Sequence, residues 1–493
     1  MLKKIKQLLA NHLIFWLSLM IFLAGTFAML GWKKHLSFNL EPYPDGLFYT
    51  VPAWSLVNGG ELSVEFAGST IPNIVPPLYS LLLVPFYLVF PTPVAFYLLN
   101  VVLGSLTIVF LYLSFKEQQN FKQISWLLPL FSLLPLVLWL PSLPMSDNLL
   151  ITIATAIVWL WLTKKTSVKN KIILLPLLQL LAFLTKYSSF GFLAAFNLIF
   201  LWQLSKNKQR EELGKYIVIL AGLFGSFLLL AKPSYILKVF QPQTETKTSS
   251  ELVAFSASYF WKNFIAYLKA VLGFADQLVW QRVSLFFYGL LILPLLVIKK
   301  SQEIKTLIIF ILLTTSLQVF FYSIDIRYIA TILPLMMLAV GKSLSLIPKE
   351  QLRLSYLAIG VSLLSFILFH QGFYRELIAT NWLNRSRAWQ YEAVTNLQEL
   401  DLESDSYLIT ALPPYLFSFY YPNHPHILPL SDSQEFMNEG QRPWGDSVDY
   451  KNLLNDYRSM IDDGQKLYLS NAYITHQQSV VEDYESYKDE FGL

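Results

Sequence analysis

The chain contains no cysteine in its 493 residues, which excludes disulfides, thiolate metal sites and a cysteine nucleophile. Charge is also scarce. Only 14% of residues are Asp, Glu, Lys or Arg against 54% hydrophobic, too apolar for a water-soluble chain of this length, and the apolar residues come in blocks. The centres of those blocks lack ionisable residues, whereas ion- and proton-coupled transporters keep such residues at midplane depth. What remains is a polytopic α-helical membrane protein.

The opening MLKKIKQLLANH places Lys3, Lys4 and Lys6 before an apolar run from Leu13 to Trp32 that lacks a small-x-small cleavage site, and it reads as a retained signal anchor. Spanning helices need roughly 20 apolar residues. Eleven such segments are expected, beginning near Leu13, Val94, Ser125, Asn148, Ile172, Phe190, Tyr216, Ser284, Thr306, Tyr328 and Leu354. PPLYSLLLVPFYLVFP, residues 76–91, is short, bounded by prolines and interrupted by Pro85, so it is placed at the membrane interface instead. With that choice, 19 Lys and Arg fall in loops on the side of the N-terminus, against Lys33, Lys34, Lys186 and Arg327 in short loops opposite. The positive-inside rule makes the first side cytoplasmic.

Two bodies follow from the charge distribution. Residues 371–493 carry 8 Lys and Arg against 19 Asp and Glu, a net of −11, leaving 29 against 14, or +15, for residues 1–370. An odd number of spans puts the acidic part outside the cytoplasm, where alternating helix and strand patterns predict a small α/β layer with strands at Tyr407 to Thr410, His426 to Leu430 and Lys466 to Ser470. Within the membrane body, residues 32–92 form a first external loop and 232–283 a second. The second ends in an aromatic-rich stretch, residues 251–280, suited to a helix lying in the headgroup plane.

Ionisable residues gather at the external helix ends. Asp45 stands in EPYPDGLFYTVPAW among Pro42, Pro44 and Pro52, with Tyr43, Phe48, Tyr49 and Trp54 limiting water, a setting that suits a general base. Asp147 in LPSLPMSDNLL is either an N-cap of the next helix or a functional acid. Lys186 in LTKYSSF and Arg327 in FYSIDIRY are either snorkelling side chains or anion binders. Glu61 and Glu65 read as a solvated loop face, and His424 and His426 as a loop and strand start. No His/Asp cluster has metal-ligand spacing, so no metal or other cofactor is required, although external carboxylates are compatible with a divalent cation.

In this order these motifs form a pattern: Asp45, then Ala53, Leu56, Gly59 and Glu61 as A-x-x-L-x-x-G-x-E, then PPLY at residues 76–79, PMSDNLL, LTKYSSFGF and IRYIATILPLMML. The pattern resembles the GT-C superfamily of polyprenyl-phosphate-sugar glycosyltransferases, in the branch holding protein O-mannosyltransferases and lipid A aminoarabinose transferases. It covers Met1 to about Ile347. The resemblance implies a GT-C-like fold with Asp45 as catalytic base and Asp147 as a second acid organising the acceptor or the first loop. It also implies Lys186 and Arg327 as ligands of the lipid phosphate, and Tyr49, Tyr79, Tyr187 and Tyr328 complete the expected substrate-binding set. One position departs: where some relatives have a basic residue or His just before PPL, this chain has Val75.

The chemistry asks for such residues. A polyprenyl-phosphate sugar already carries a good leaving group, so transfer needs a base for the incoming hydroxyl and cations for the departing phosphate. Attack opposite the phosphate inverts the anomeric carbon. The expected function is therefore a multi-pass cell-membrane glycosyltransferase with no nucleic-acid partner. It would act on a polyprenyl-phosphate-linked monosaccharide and an extracytoplasmic glycan, lipid or protein acceptor. Two rivals are a lipid-linked oligosaccharide ligase or polymerase, which calls for a larger external basic cluster, and a non-enzymatic flippase of lipid-linked sugars, which the empty midplane argues against.

Overall fold

The computed structural model describes residues 12–30, 45–66, 69–72, 75–91, 94–118, 121–134, 137–138, 140–230, 260–265, 294, 297–318, 330–346, 393–412, 417, 425–430, 453–472 and 484–489. In chain order the elements are α1 (Leu13–Leu30), α2 (Asp45–Val57), β1 (Ser63–Phe66), β2 (Ser69–Pro72), α3 (Leu78–Val89), α4 (Val94–Lys116), α5 (Phe121–Ile124) and α6 (Leu127–Ser132). There follow α7 (Asp147–Leu162), α8 (Val168–Phe183), α9 (Phe190–Lys206), α10 (Arg210–Leu230), α11 (Gln302–Gln318) and α12 (Ile332–Ser345). The chain continues with β3 (Tyr407–Thr410), β4 (His426–Pro429), α13 (Leu453–Asp462) and β5 (Leu467–Leu469). Single 3-10 turns occupy Leu140–Ser142, Tyr187–Ser189 and Ile298–Lys300.

Two compact units divide the chain. One takes Met1–Lys33, Tyr97–Gln243 and Leu252–Asn381, the other Lys34–Phe96, Thr244–Glu251 and Trp382–Leu493. Part of the expected 1–370 body, its first loop, is thus grouped with the C-terminal residues.

The first unit is helical. Its centre is α7 and α12, apolar around nearly their whole circumference and buried along nearly their whole length, as such helices must be. Around them α1 packs on α6, α8 on α7 and α10, and α11 on α9 and α12. Close approach depends on glycine at two crossings: a Cβ on Gly341 of α12 would lie 2.8 Å from the Phe115 ring, and one on Gly104 of α4 would collide with Phe22 of α1. The outward faces are apolar as well, with Met20, Val218 and Leu312 all at least 60% exposed.

Polar pairs tie these helices together. Gln179 Nε2 donates to Tyr216 Oη (2.6 Å), Tyr216 Oη to Asn197 Oδ1 (2.6 Å), and Asn197 Nδ2 back to Gln179 Oε1 (2.7 Å), a closed ring joining α8, α10 and α9. Thr152 Oγ1 of α7 lies 2.8 Å from the Leu103 carbonyl and 2.9 Å from Thr107 Oγ1, both on α4.

By length and hydropathy, two described helical stretches are able to cross a membrane, Val94–Lys116 and Tyr187–Lys206, with shorter apolar helices at Leu13–Phe27, Leu78–Val89, Asp147–Leu162 and Ile332–Ser345. Eleven were expected. The segment from Ser125 is not one helix: α6 ends at Ser132, and a 3-10 turn follows at Leu140–Ser142. Pro129, Pro135, Pro141 and Pro144 remove main-chain donors along it. The expected spans from Ser284 and Leu354 fall mostly or wholly on residues outside the described ones.

In the second unit, α2 packs against α3 and a two-stranded antiparallel hairpin, β1 with β2, follows α2. At 12 residues, roughly 18 Å, α3 is too short to span. It buries Tyr79, Ser80, Leu83 and Tyr87 and exposes Leu81, Leu88 and Val89. The C-terminal part holds a parallel three-stranded sheet in the order β4-β3-β5, registered Tyr407 opposite His426 and Leu467. Ile409, Ala411, Leu430, Tyr457 and Tyr487 form its core.

Candidate active site

Sequence reasoning placed Asp147 and Lys186 at external helix ends, 39 residues apart, and the fold brings them into contact. Lys186 Nζ donates to Asp147 Oδ1 at 2.8 Å, with the two side chains 9% and 3% exposed. The N-cap position of α7 belongs to Ser146, with Asp147 the first helical residue, and a lysine this buried is not snorkelling.

Local structure explains the placement. α8 ends at Phe183, and its last turn is closed by Thr185 Oγ1 donating to the Leu181 carbonyl (2.7 Å). Lys186 is then extended (φ −162°, ψ 128°), which breaks the helical path before the Tyr187–Ser189 turn opens α9. On the other side, Asn100 Nδ2 of α4 donates to the Leu143 carbonyl (2.5 Å) and holds the bend that delivers Asp147 to the head of α7. An acid at that position also meets the positive end of the helix dipole.

Bringing both charges out of water carries a desolvation penalty of several kcal/mol per ion, offset by their mutual attraction. The surroundings are more polar than this pair alone requires. Ser146 Oγ, Asn148 Nδ2 and Ser189 Oγ are buried and have no hydrogen-bond partner among the described residues. Sequence reasoning passed over all three; their signal is the polar runs SDN and KYSS inside apolar stretches. Tyr187 packs its ring on Phe183 at 5.4 Å.

The remaining candidates divide. Asp45 is the first residue of α2. Tyr49 follows one turn later and meets Tyr79 of α3 edge to face at 5.7 Å, while Ser80 Oγ donates to the Tyr49 carbonyl at 2.8 Å. Asp45, Tyr49 and Tyr79 belong to the second unit, Asp147, Lys186 and Tyr187 to the first. Arg327 and Tyr328 lie outside the described residues, as do Lys33, Lys34 and His424. The aromatic external stretch is described only over 260–265, a helical segment exposing Trp261, Phe264 and Ile265. Among the described residues no three His, Cys, Asp or Glu side chains gather as a metal site.

The fold has counterparts among solved structures. Two crystal structures share it over nearly the full chain. ArnT from Cupriavidus metallidurans in the apo state aligns with a TM-score of 0.62 at 14% identity, covering 92% of this chain and 92% of that one. ArnT from the same organism bound to undecaprenyl phosphate aligns with a TM-score of 0.57 at 12% identity, covering 94% and 90%. No protein-family model and no curated protein matches the sequence.

Proposed function

We propose that this chain is a membrane glycosyltransferase that moves a monosaccharide from a polyprenyl-phosphate carrier to an extracytoplasmic glycan, lipid or protein. The observation that carries the reading is the buried Asp147–Lys186 pair at the head of α7, set in a fold shared with a protein crystallised with undecaprenyl phosphate.

Asp45 takes the proton of the acceptor hydroxyl as that oxygen attacks the anomeric carbon. The bond from that carbon to the phosphate oxygen breaks with its electron pair leaving on the phosphate, and the products are an inverted glycoside and the polyprenyl phosphate. Lys186, held by Asp147, supplies positive charge to the departing phosphate together with Arg327. Tyr49, Tyr79, Tyr187 and Tyr328 complete the proposed substrate-binding set. Ser146, Asn148 and Ser189 supply buried hydrogen-bonding capacity of the kind a sugar's hydroxyl groups use. No step needs a metal or another cofactor.

The test is transfer from a radiolabelled polyprenyl-phosphate monosaccharide by purified protein in proteoliposomes, comparing wild type with Asp45→Asn and Asp147→Asn at equal expression. Loss of about 10²-fold or more in both variants is expected, the scale of removing a positioned base. Movement of the labelled lipid across the bilayer without covalent transfer would restore the flippase reading.

A further inference from the structure

Helices packed in lipid gain little from excluding solvent, because lipid is as apolar as Leu or Ile, so polar contacts hold their register. The α7–α8 hairpin has one such contact at each end. At the head of α7, Lys186 from beyond α8 meets Asp147. At its tail, Lys171 in the first turn of α8 donates Nζ to the carbonyls of Trp161 (2.8 Å) and Thr163 (2.6 Å). Those carbonyls close a helix C-terminus, where intrahelical donors run out and a cation meets the negative end of the dipole. Trp161 is held a second time, its Nε1 donating to Gln203 Oε1 of α9 at 2.8 Å. Between the two lysines lies Pro176, which deprives α8 of a main-chain bond at mid-length. The helix nonetheless runs on from Val168 to Phe183, so a clamp at one end bears on the other.

We infer that Lys171 is a positioning residue for Asp147. By clamping the tail of α7 it sets the height at which the carboxylate meets Lys186, roughly 20 Å away along the hairpin. A slip of one residue moves the carboxylate by about 1.5 Å, enough to break a 2.8 Å contact. The neighbouring loop lysine at 165 has no such role; it is 77% exposed and pairs with Glu117.

The inference rests on the proposed role of Asp147, and two readouts separate them. Full-length Lys171→Met, Lys171→Gln and Lys171→Arg proteins in lipid nanodiscs are compared with wild type by hydrogen exchange of peptides covering 146–152 and by kcat and KM for sugar transfer. In Lys171→Met we expect exchange over 146–152 to rise about 5-fold or more as the head of α7 loosens. We expect kcat to fall about 10- to 100-fold with KM nearly unchanged. Lys171→Arg restores both, and in an Asp147→Asn background Lys171→Met lowers kcat no further. Unchanged exchange in folded Lys171→Met protein overturns the inference, as does a full multiplicative loss in the double variant. If Lys171→Met does not fold, Lys171→Gln carries the same comparison. A wild type that transfers nothing counts against the proposed function, while the exchange readout still decides the role of Lys171.

Discussion

In the helical unit, large apolar side chains such as Met20, Val218 and Leu312 face outward, while Gln179, Tyr216, Asp147 and Lys186 are buried and paired. Around the C-terminal sheet the arrangement is reversed: Ile409, Leu430 and Tyr457 are buried, and the Glu403–Lys466 pair is exposed. The contrast is the one expected between a lipid-facing and a water-facing region. In lipid, apolar surface is free to stay outside and polar pairs choose which helices meet; in water, apolar burial drives assembly and surface charges contribute little.

Breaking the comparison begins with its strongest element. Lys186→Met takes the paired cation from a buried carboxylate, and a loss of about 3–5 kcal/mol is expected in thermal or denaturant unfolding of the detergent-solubilised protein. The double variant Asp147→Leu with Lys186→Met recovers most of it; a double loss equal to the sum of the singles would mean the pair is not coupled. In the sheet the counterpart is apolar. Ile409→Ala opens a cavity beneath β3 and costs about 3 kcal/mol in unfolding of the C-terminal part, followed by limited proteolysis across a urea series.

Tyr216→Phe removes the hydroxyl that closes the Gln179–Asn197 ring, and about 1 kcal/mol is expected, the usual worth of an interhelical hydrogen bond in a membrane. A loss several times larger would make that ring, rather than the ion pair, the main specifier of helix partners. Smallest is Lys466→Ala. The hydrogen bond that Lys466 donates to Glu403 raises the Lys466 pKa, so what the pair contributes is present below the ordinary lysine range and fades only as pH climbs through the raised value. Both groups are exposed, and wild type and variant should give the same flat stability profile between about pH 6 and 9.

Much of this was legible in advance. The apolar blocks beginning at Leu13, Val94 and Phe190 are helices that begin at those residues, and the strand expected at Tyr407 to Thr410 is β3 with the same bounds. Asp147 and Lys186 were singled out separately, because each is an ionisable residue at the edge of an apolar block. Their contact was not foreseen, nor was the β1–β2 hairpin, whose strands are four residues each and carry no Asn-Gly turn signal. The stretch from Ser125 misled for a different reason: hydropathy counts its prolines as tolerable apolar residues, and backbone hydrogen bonding does not.

What the sequence alone determined is where the apolar blocks fall, how charge divides between residues 1–370 and 371–493, and a short roster of ionisable residues. Transfer of a residue from water to lipid depends mainly on that residue and its near neighbours, so it can be summed along the chain. Which polar groups meet was decided only by the tertiary structure. Lys186 reaching Asp147, Lys171 closing α7, and Gln179, Asn197 and Tyr216 forming a ring all require that separate helices share one height and one rotation. Those are properties of how helices pack, and a linear pattern does not carry them.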